Sequence, residues 1–391
     1  MTPRLHPGTA WPVAIPLSLV LTLTLPRPSA RADGSIAYRY ENYEETGGRV
    51  IVQTQGVDME QDLPGSFKFT ASLVDDAITG ASPTGAPAPA GSDQVPTSTL
   101  SDHRKAWDLG LARTFGPTNL AVGLAESREH DYVSRGWSLN TLTDFNQKNT
   151  TLIAGIAGHA DDVETFYDPQ FAYRPKHAVS AILGVTQLLD KWTSVTFDLS
   201  WGRETGFLND QYKAVLKSLE IFPGVFLPLG YPENRPGERD SGTAYVLVDR
   251  AFPTLHGALE LSYRFYADTY GIAAHTAEAR WLQKVGEHLT IGPEVRAYEQ
   301  GAARFYYYNL DDTSIQPTRV PDPNGTNYSS DYRLSSLETT TYGIRVSWKP
   351  VERLEFTAAY DRYRMHGRDG VTPQSAYPVA NILSAGAKLS W

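Results

Sequence analysis

Apolar side chains recur at every second position through much of the chain, with polar or small residues between them. The alternation is clearest in ten segments, at residues 67–73, 107–111, 120–124, 152–156, 179–185, 195–201, 259–265, 289–295, 342–348 and 354–360. A period of two indicates a β-strand with one apolar face, and a helical period is almost absent. With its flanks, each segment has about the 9 to 11 residues that a tilted strand needs to cross a bilayer. The pattern predicts an all-β protein.

The connections between these segments alternate in length. Short turns lie at residues 62–66, 115–118, 144–149, 189–192, 252–254, 284–287 and 349–352. The intervening connections include long segments at 76–103, 159–177, 202–242, 300–336 and 363–379. Seven short turns and eight loops join sixteen strands, and this sorting is typical of an antiparallel transmembrane β-barrel. The pattern is weak at 135–143, and 212–223 fits either an extra strand or a helical turn, so 14 to 18 strands remain open.

The last predicted strand ends in an aromatic residue. One face of this segment carries Leu383, Ala385, Ala387, Leu389 and Trp391. Such an ending resembles the signal that the outer-membrane barrel-assembly machinery reads in a last strand. We therefore expect that machinery and outer-membrane lipid as partners. The alternative is an ordinary amphipathic edge strand that ends in Trp391.

The first 32 residues have the features of a secretory signal peptide. Arg4 precedes an apolar run over residues 11–25, and Ala30 and Ala32 form a small-residue cleavage site. We expect cleavage after Ala32, which leaves one barrel domain over residues 33–391 and predicts the cell outer membrane as its location. The chain has no cysteine, which excludes a lipoprotein anchor, disulfides and thiolate metal sites.

Composition narrows the class of protein further. A chain that is 41% hydrophobic and 20% charged is too polar for a bundle of transmembrane helices, and its 22 Tyr, 14 Phe and 8 Trp argue against disorder. Acidic residues outnumber basic residues by 44 to 35, so nucleic acid is not expected as a partner. Eight aromatic residues near predicted strand ends are typical of the girdles at a membrane surface: Trp107, Trp192, Trp201, Tyr263, Phe265, Trp281, Trp348 and Trp391.

Several short segments of the sequence are distinctive. They lie at residues 75–86, 127–134, 148–152, 206–213 and 263–272. Together they resemble domain-of-unknown-function family 3570, which comprises predicted outer-membrane β-barrel proteins of Gram-negative bacteria. The resemblance spans nearly all of the chain after the leader, and it implies fold and location, because the family has no assigned activity. Family members are often encoded beside flavin-transfer and thioredoxin-like proteins, so the resemblance also implies a periplasmic redox protein as a partner.

Twelve charged residues alternate with apolar ones and are predicted to face the barrel lumen. They are Asp108, Asp198, Glu260, Arg264, Glu278, Arg280, Glu294, Arg296, Arg345, Glu355, Asp361 and Lys388. Burying an unpaired charge in a dry core costs roughly several kcal/mol. A water-filled or salt-bridged lumen is therefore a more favourable environment for these twelve residues. Two interpretations remain open. These residues either line a pore with a weak cation preference or form a network that fills a closed barrel.

Acidic clusters raise the question of a metal site. A rim segment concentrates Glu126, Arg128, Glu129, His130, Asp131, Tyr132 and Arg135, where carboxylates beside histidine could bind a cation or act as acid and base. Two further sets fit calcium by residue type: Asp75 with Asp76, and Asp311 with Asp312, Asp322 and Asn324. Because the twelve-residue spacing of a calcium loop is absent, solvated ion pairs and flexible acidic loops are favoured, and we expect no metal and no cofactor.

No catalytic motif accompanies the histidines, and no catalytic residue is assigned. Patterns such as HExxH, GxSxG and GxxxxGK[ST] are missing. We therefore expect a channel-like, porin-like or transport barrel with a mixed-charge lumen. The alternative is a non-conducting scaffold for an envelope redox or assembly system. An outer-membrane hydrolase, whose residues would come from different strands, is the remaining alternative.

Overall fold

A computed structural model describes residues 33–85, 88, 92, 94–165 and 173–391. The predicted signal peptide and its cleavage site lie outside these residues. The described residues form eighteen β-strands: β1 (Gly34–Glu45), β2 (Val50–Leu63), β3 (Phe67–Pro83), β4 (Thr97–Phe115), β5 (Thr118–Arg128), β6 (Tyr132–Phe145), β7 (Thr150–Glu164), β8 (Tyr173–Asp190), β9 (Thr193–Gly206), β10 (Ala214–Phe222), β11 (Val225–Pro232), β12 (Glu238–Phe252), β13 (Gly257–Asp268), β14 (Ala273–Val285), β15 (Leu289–Gln300), β16 (Leu337–Val351), β17 (Leu354–Gly367) and β18 (Val379–Ser390).

Helical structure is confined to single turns in this part of the chain. Five 3-10 turns lie at Thr46–Gly48, Asn146–Lys148, Pro253–Leu255, Tyr332–Leu334 and Gln374–Ala376. Among the described residues, no helix is long and apolar enough to cross a membrane.

Sixteen of the strands form a closed antiparallel barrel, as the sequence predicts. Each strand pairs with its neighbours in chain order, except that β9 pairs directly with β12, and β18 pairs with β1 to close the wall. Strands β10 and β11 form a separate two-stranded hairpin. The ambiguous segment 212–223 thus contains an extra strand, but this strand does not belong to the barrel wall.

The closing strand carries four of the five residues that were predicted to act as an assembly signal, and Trp391 follows its last residue. This strand pairs with β1 from Ser35 opposite Ser390 to Glu45 opposite Ala380. Beyond it, the backbones of Gly34 and Trp391 exchange two hydrogen bonds of 3.2 and 3.0 Å. The indole ring of Trp391 occupies the space that a Cβ atom of Gly34 would take, so the glycine makes room for the terminal aromatic side chain. The role of this strand in assembly stays a prediction.

The wall has one apolar face and one polar face. Phe197, Leu199 and Trp201 on β9 are between 44% and 49% exposed, and Leu261 and Tyr263 on β13 are similarly exposed. Exposed apolar side chains of this kind continue around the barrel. Such a continuous apolar surface would be unfavourable in water and suits contact with lipid. The alternate positions therefore face the interior.

The short turns and the other connections lie at opposite ends of the barrel. All seven predicted short turns join consecutive strands at one end, which we call the turn end, and the chain segments around Gly34 and Trp391 lie there as well. The tight geometry at 64–66 uses Gly65 and Ser66 with φ of 78° and 62°, a region that favours glycine. The eight other connections lie at the opposite end, which we call the loop end.

Several strands at the loop end are longer than the alternation predicts. Strand β3 continues to Pro83 and β4 begins at Thr97, so the predicted loop 76–103 is largely ladder. Asp75 pairs with His103 at 2.9 Å and Asp76 with Arg104 at 2.6 Å across this extension. Neither face carries a run of large apolar side chains here, so backbone pairing persists although the apolar alternation that marks a membrane-spanning strand has ended.

Candidate functional site

The interior wall holds a compact set of ion pairs centred on Arg280. Its guanidinium group lies 2.9 Å from Glu260, 3.2 Å from Glu278 and 2.7 Å from Glu294. Arg345 from β16 contacts the same Glu294 at 2.9 Å. The register explains this arrangement, because Glu260 is opposite Arg280 and Arg280 is opposite Glu294 on three adjacent strands. Charges of opposite sign thus alternate across the wall.

A cavity of about 280 Å³ lies at this cluster. It is lined by Glu278, Arg280, Glu294, Arg296, Thr341, Arg345, Asp361 and Ile382. The carboxylate of Asp361 occupies the space over Gly343, where a Cβ atom would not fit, and reaches the side of Glu294. Six of the twelve predicted lumen residues therefore meet in one cavity, and Glu260 adjoins it through Arg280.

The other predicted lumen residues are spread over the wall. Glu355 lies towards the turn end and pairs with Lys349 at 3.2 Å, and Lys388 is directly opposite it on β18. Arg264 lies 5.3 Å from the ring centre of Tyr245, a cation–π contact. The two remaining residues are Asp108 on β4 and Asp198, whose carboxylate lies over Gly184 on β8.

Two long connections at the loop end fold inward. We call residues 207–237, between β9 and β12, and residues 301–336, between β15 and β16, the cap. Buried cap side chains Phe305 and Leu334 pack with Tyr266 and Tyr298, and Tyr332 packs with Met365. By strand alternation these wall partners lie on the same face as the charged residues: Tyr266 with Arg264, Tyr298 with Arg296, and Met365 with Asp361. The cap therefore covers the lumen at its loop end.

A buried ionic network joins the two cap segments. Arg235 lies 2.6 Å from Glu233 and 2.8 Å from Asp331, and Arg333 pairs with Asp331 and Asp210. Burial alone would raise the pKa of Asp331, but the guanidinium groups of Arg333 and Arg235 outweigh it and hold that pKa well below its usual range. Breaking such a network by removing one partner is costly, because the remaining charge stays buried.

The cap is also tied to the shorter loop-end connections. Lys213, buried with a lowered pKa, donates to the carbonyl of Pro83 at 2.7 Å, and the amide of Ala214 donates to Thr84 at 2.9 Å. Tyr306 bonds to Thr372 in the connection before β18. By contrast, the β10–β11 hairpin ends in exposed apolar side chains, which are Leu219, Ile221, Phe222, Val225, Phe226 and Leu227.

The rim segment 126–135 divides into two parts. Glu126 faces outward and pairs with Arg128 at 2.8 Å and with Arg135 at 3.2 Å, as expected for a solvated rim. Glu129 and Asp131 instead lie close to Asp102, a residue of β4 that the sequence pattern did not single out. Burial and the Asp102 carboxylate raise the pKa of Glu129 to about 8 and that of Asp131 to about 6.

The other acidic residues considered for calcium have donors of their own. Asp75 and Asp76 are paired with His103 and Arg104, as described above. Asp311 accepts hydrogen bonds from the backbone and the hydroxyl of Ser218 at 2.5 and 3.1 Å. Asp322 accepts from the amide of Asn324 at 3.0 Å, inside a tight turn. These acidic side chains therefore stabilise the conformation of the loops in which they lie.

The sequence pattern predicts a long connection at 300–336 but does not assign it an inward position. The available signal was the aromatic run from Phe305 to Tyr308, which is unusual for a solvated loop. Nothing local indicated which residues these aromatic side chains would contact.

These features define the class of protein: a sixteen-stranded β-barrel of outer-membrane type with a charged interior and an inward-folded cap. The chain matches the family described as "Protein of unknown function (DUF3570)" over residues 18–377, and it belongs to that family. The matched region includes most of the barrel and the whole cap. No curated protein matches the chain.

The likeness to one solved structure supports the fold alone. CdiB from Acinetobacter baumannii superposes with a TM-score of 0.51 at 7% identity, over 92% of this chain and 60% of CdiB, so this chain spans about three fifths of that protein's length. A bacterial polysaccharide outer membrane secretin gives a TM-score of 0.48 at 11% identity, over 92% of this chain and 98% of the secretin. OmpT of Vibrio cholerae gives 0.43 at 10% identity, over 94% and 100%.

Proposed function

We propose that this protein is a gated channel or transport barrel of the outer membrane, with the cap as its gate. The observation that carries the proposal is the packing of the cap on the inner face of a sixteen-stranded wall. A barrel of about this size can enclose a water-filled lumen unless loops fold inward, and here two loops do. Below them lies the charged cavity, which would contact any solute that passes the cap.

The outer-membrane location is part of this proposal. It is supported by the apolar outer face, by strands long enough to cross a bilayer, and by family membership. With both chain ends at the turn end, we expect that end in the periplasm and the cap at the cell surface. Fractionation should recover the full-length protein with outer membranes, in a form that migrates differently before and after heating.

Both cap segments are insertions between neighbouring strands of the wall. Thr205 is paired with Glu238, and Gln300 with Leu337, so each cap segment begins and ends on adjacent strands. Short turns can therefore replace residues 207–237 and 301–336, and we call the product the capless variant. A matched control shortens only the exposed hairpin tip at residues 219–228, which is remote from the wall contacts described above.

Proteoliposome swelling tests the proposal. The capless variant should admit small sugars readily, whereas the wild-type protein and the tip-shortened control should admit them slowly. A capless variant that assembles into a heat-modifiable barrel and still excludes small sugars would contradict the proposal.

A non-conducting scaffold is the second candidate, and the Arg280 network favours it. One guanidinium group holds three carboxylates there, and the Glu294 side chain is only 9% exposed. Such a network could fill the lumen and make the barrel a rigid support. In that case a partner would bind the turn end, and the family resemblance suggests a periplasmic redox protein. Pull-down from periplasm with the purified barrel as bait would test this candidate.

A further inference from the structure

Three carboxylates meet at the loop end of the wall. Asp102 belongs to β4, and Glu129 and Asp131 belong to the connection between β5 and β6. One oxygen of each lies within 4.8 Å of one oxygen of the other two. The strand register brings them near one another, since Lys105 is opposite Arg128 at the end of the β4–β5 ladder, three positions from Asp102 and from Asp131.

Buried carboxylate oxygens at this place have no donor. Within the described part of the chain, Asp102 Oδ2, Asp131 Oδ1 and Asp76 Oδ1 are inaccessible to solvent and accept no hydrogen bond. Asp131 is 1% exposed and Asp76 is 5% exposed. Buried polar atoms in native proteins are nearly always satisfied, so unsatisfied oxygens beside a carboxylate cluster point to a missing positive partner.

The protein cations nearby are already engaged. Arg104 contacts Asp76 at 2.6 Å, and Arg128 and Arg135 contact Glu126 on the outward side of the rim. Arg104 also interacts favourably with Glu129, and His130 with Asp131, but burial and the neighbouring carboxylates outweigh both interactions. The cluster therefore keeps more acidic groups than cationic partners.

We propose that Asp102, Glu129 and Asp131 bind a divalent cation, with calcium as the best fit. Carboxylate oxygens are the ligands that calcium and magnesium prefer. Calcium bonds of about 2.3 to 2.6 Å span oxygens up to roughly 5 Å apart, whereas magnesium at about 2.1 Å spans only about 4.2 Å and requires stricter geometry. Oxygens within 4.8 Å of one another lie inside the range that calcium spans. The carboxylates also come from two separate chain segments, which suits the flexible geometry of calcium better than the strict octahedron of magnesium.

The cation would connect the wall to the cap. The second oxygen of Asp131 accepts hydrogen bonds from Gln211 at 2.8 Å and from the hydroxyl of Tyr212, and both residues belong to the cap. A cation held by Asp131 would fix this carboxylate between wall and cap. Binding at the site does not depend on whether the barrel conducts.

Terbium luminescence tests the site directly. Terbium is a luminescent substitute for calcium at oxygen sites, and Tyr212 lies within hydrogen-bond distance of Asp131 as a sensitiser. We expect EDTA-treated full-length barrel to give sensitised terbium emission that calcium displaces at lower concentration than magnesium. Asp102→Asn and Glu129→Gln should each weaken terbium binding at least tenfold, whereas Asp322→Asn, which changes an exposed acidic loop, should leave it unchanged.

A second measurement uses only the wild-type protein, so it remains informative if the variants assemble poorly. Wild-type protein stripped with EDTA should resist trypsin at Lys213 and Lys217 of the cap better after calcium is restored. Undiminished terbium binding in folded Asp102→Asn and Glu129→Gln barrels would overturn the proposal. Cap proteolysis that is the same with and without calcium, together with wild-type emission that calcium does not displace, would also overturn it.

Discussion

Arg235 and Asp331 form an ion pair of 2.8 Å between the two segments of the cap, 96 positions apart in the sequence. Both side chains are almost wholly buried. The same guanidinium group also contacts Glu233, so one cation serves a carboxylate from each segment. Two loops that the chain makes separately are thus held together as one body over the lumen.

Loss of this shared cation should loosen the cap. Arg235→Gln leaves Glu233 and Asp331 as buried carboxylates with fewer partners, and we expect a cost of about 3 to 5 kcal/mol to cap stability. Hydrogen exchange should accelerate in both cap segments while the barrel strands stay protected. The matched control is Arg319→Gln in the exposed part of the cap. Equal exchange in the two variants would show that the ion pair does not hold the cap.

Acid should loosen the cap as well. The pKa of Asp331 is lower in the folded cap than in an unfolded chain, where it is about 3.9. A lowered pKa stabilises the fold above the unfolded value, and this contribution is lost as pH falls below it. We expect cap hydrogen bonds to be stable at pH 5 and to weaken steadily below about pH 4. Infrared-detected exchange or pepsin cleavage at pH 5, 4 and 3 measures this, and cap protection that is flat over the range would contradict it.

The two faces of β13 should tolerate charge differently. Leu261 is 44% exposed on the apolar face, and Ser262 is its neighbour on the interior face. Leu261→Arg should cost about 2 to 4 kcal/mol near the middle of the bilayer, whereas Ser262→Arg should cost less because the lumen is polar. Phe197→Arg and Thr196→Arg form an equivalent pair on β9. Urea unfolding in lipid vesicles measures the difference, which should vanish if the faces are misassigned.

The lumen network should depend most on Glu294, which contacts two arginines. Glu294→Gln removes the shared partner of Arg280 and Arg345, and we expect a loss of about 1 to 3 kcal/mol. Glu260→Gln is the matched control, because Glu260 contacts Arg280 alone and is more exposed. In the capless variant, Glu294→Gln should also shift ion selectivity towards anions, since it leaves positive charge in excess. Equal stability of the two variants would indicate a solvated wall with little pairing.

The barrel wall could be predicted because the alternation and the short turns that define it are visible within short stretches of the sequence. Lipid on one side and a polar interior on the other impose a period of two, as at 195–201 and 259–265, and short turns such as 62–66 mark where each strand ends. The boundaries at the loop end were less predictable. At the loop end, β3 and β4 carry no run of large apolar side chains on either face, so the ladder beyond Asp76 and Arg104 has no apolar alternation to detect.

The cap and the rim cluster depend on contacts between distant parts of the chain. Arg235 contacts Asp331 across 96 positions, and Asp131 contacts Gln211 across 80 positions. Asp102 approaches Asp131 from strand β4, and no local pattern marks any of these contacts. Composition offered a hint in the aromatic residues 305–308, but it did not indicate their partners. The alternation along each strand was enough to predict which charged residues face the lumen. Their grouping around Arg280 could not be predicted, because it depends on the register of three adjacent strands.

Single-channel recording in planar bilayers tests whether the cap closes a lumen that is able to conduct. Wild-type protein should insert and remain mostly closed, with rare openings, whereas the capless variant should show stable, ohmic conductance in the same lipid and salt. The tip-shortened control should behave as the wild type does. A capless barrel that inserts, as verified by heat-modifiable migration, and yet never conducts would contradict a gating role for the cap. A wild-type barrel that conducts as fully as the capless one would contradict it as well.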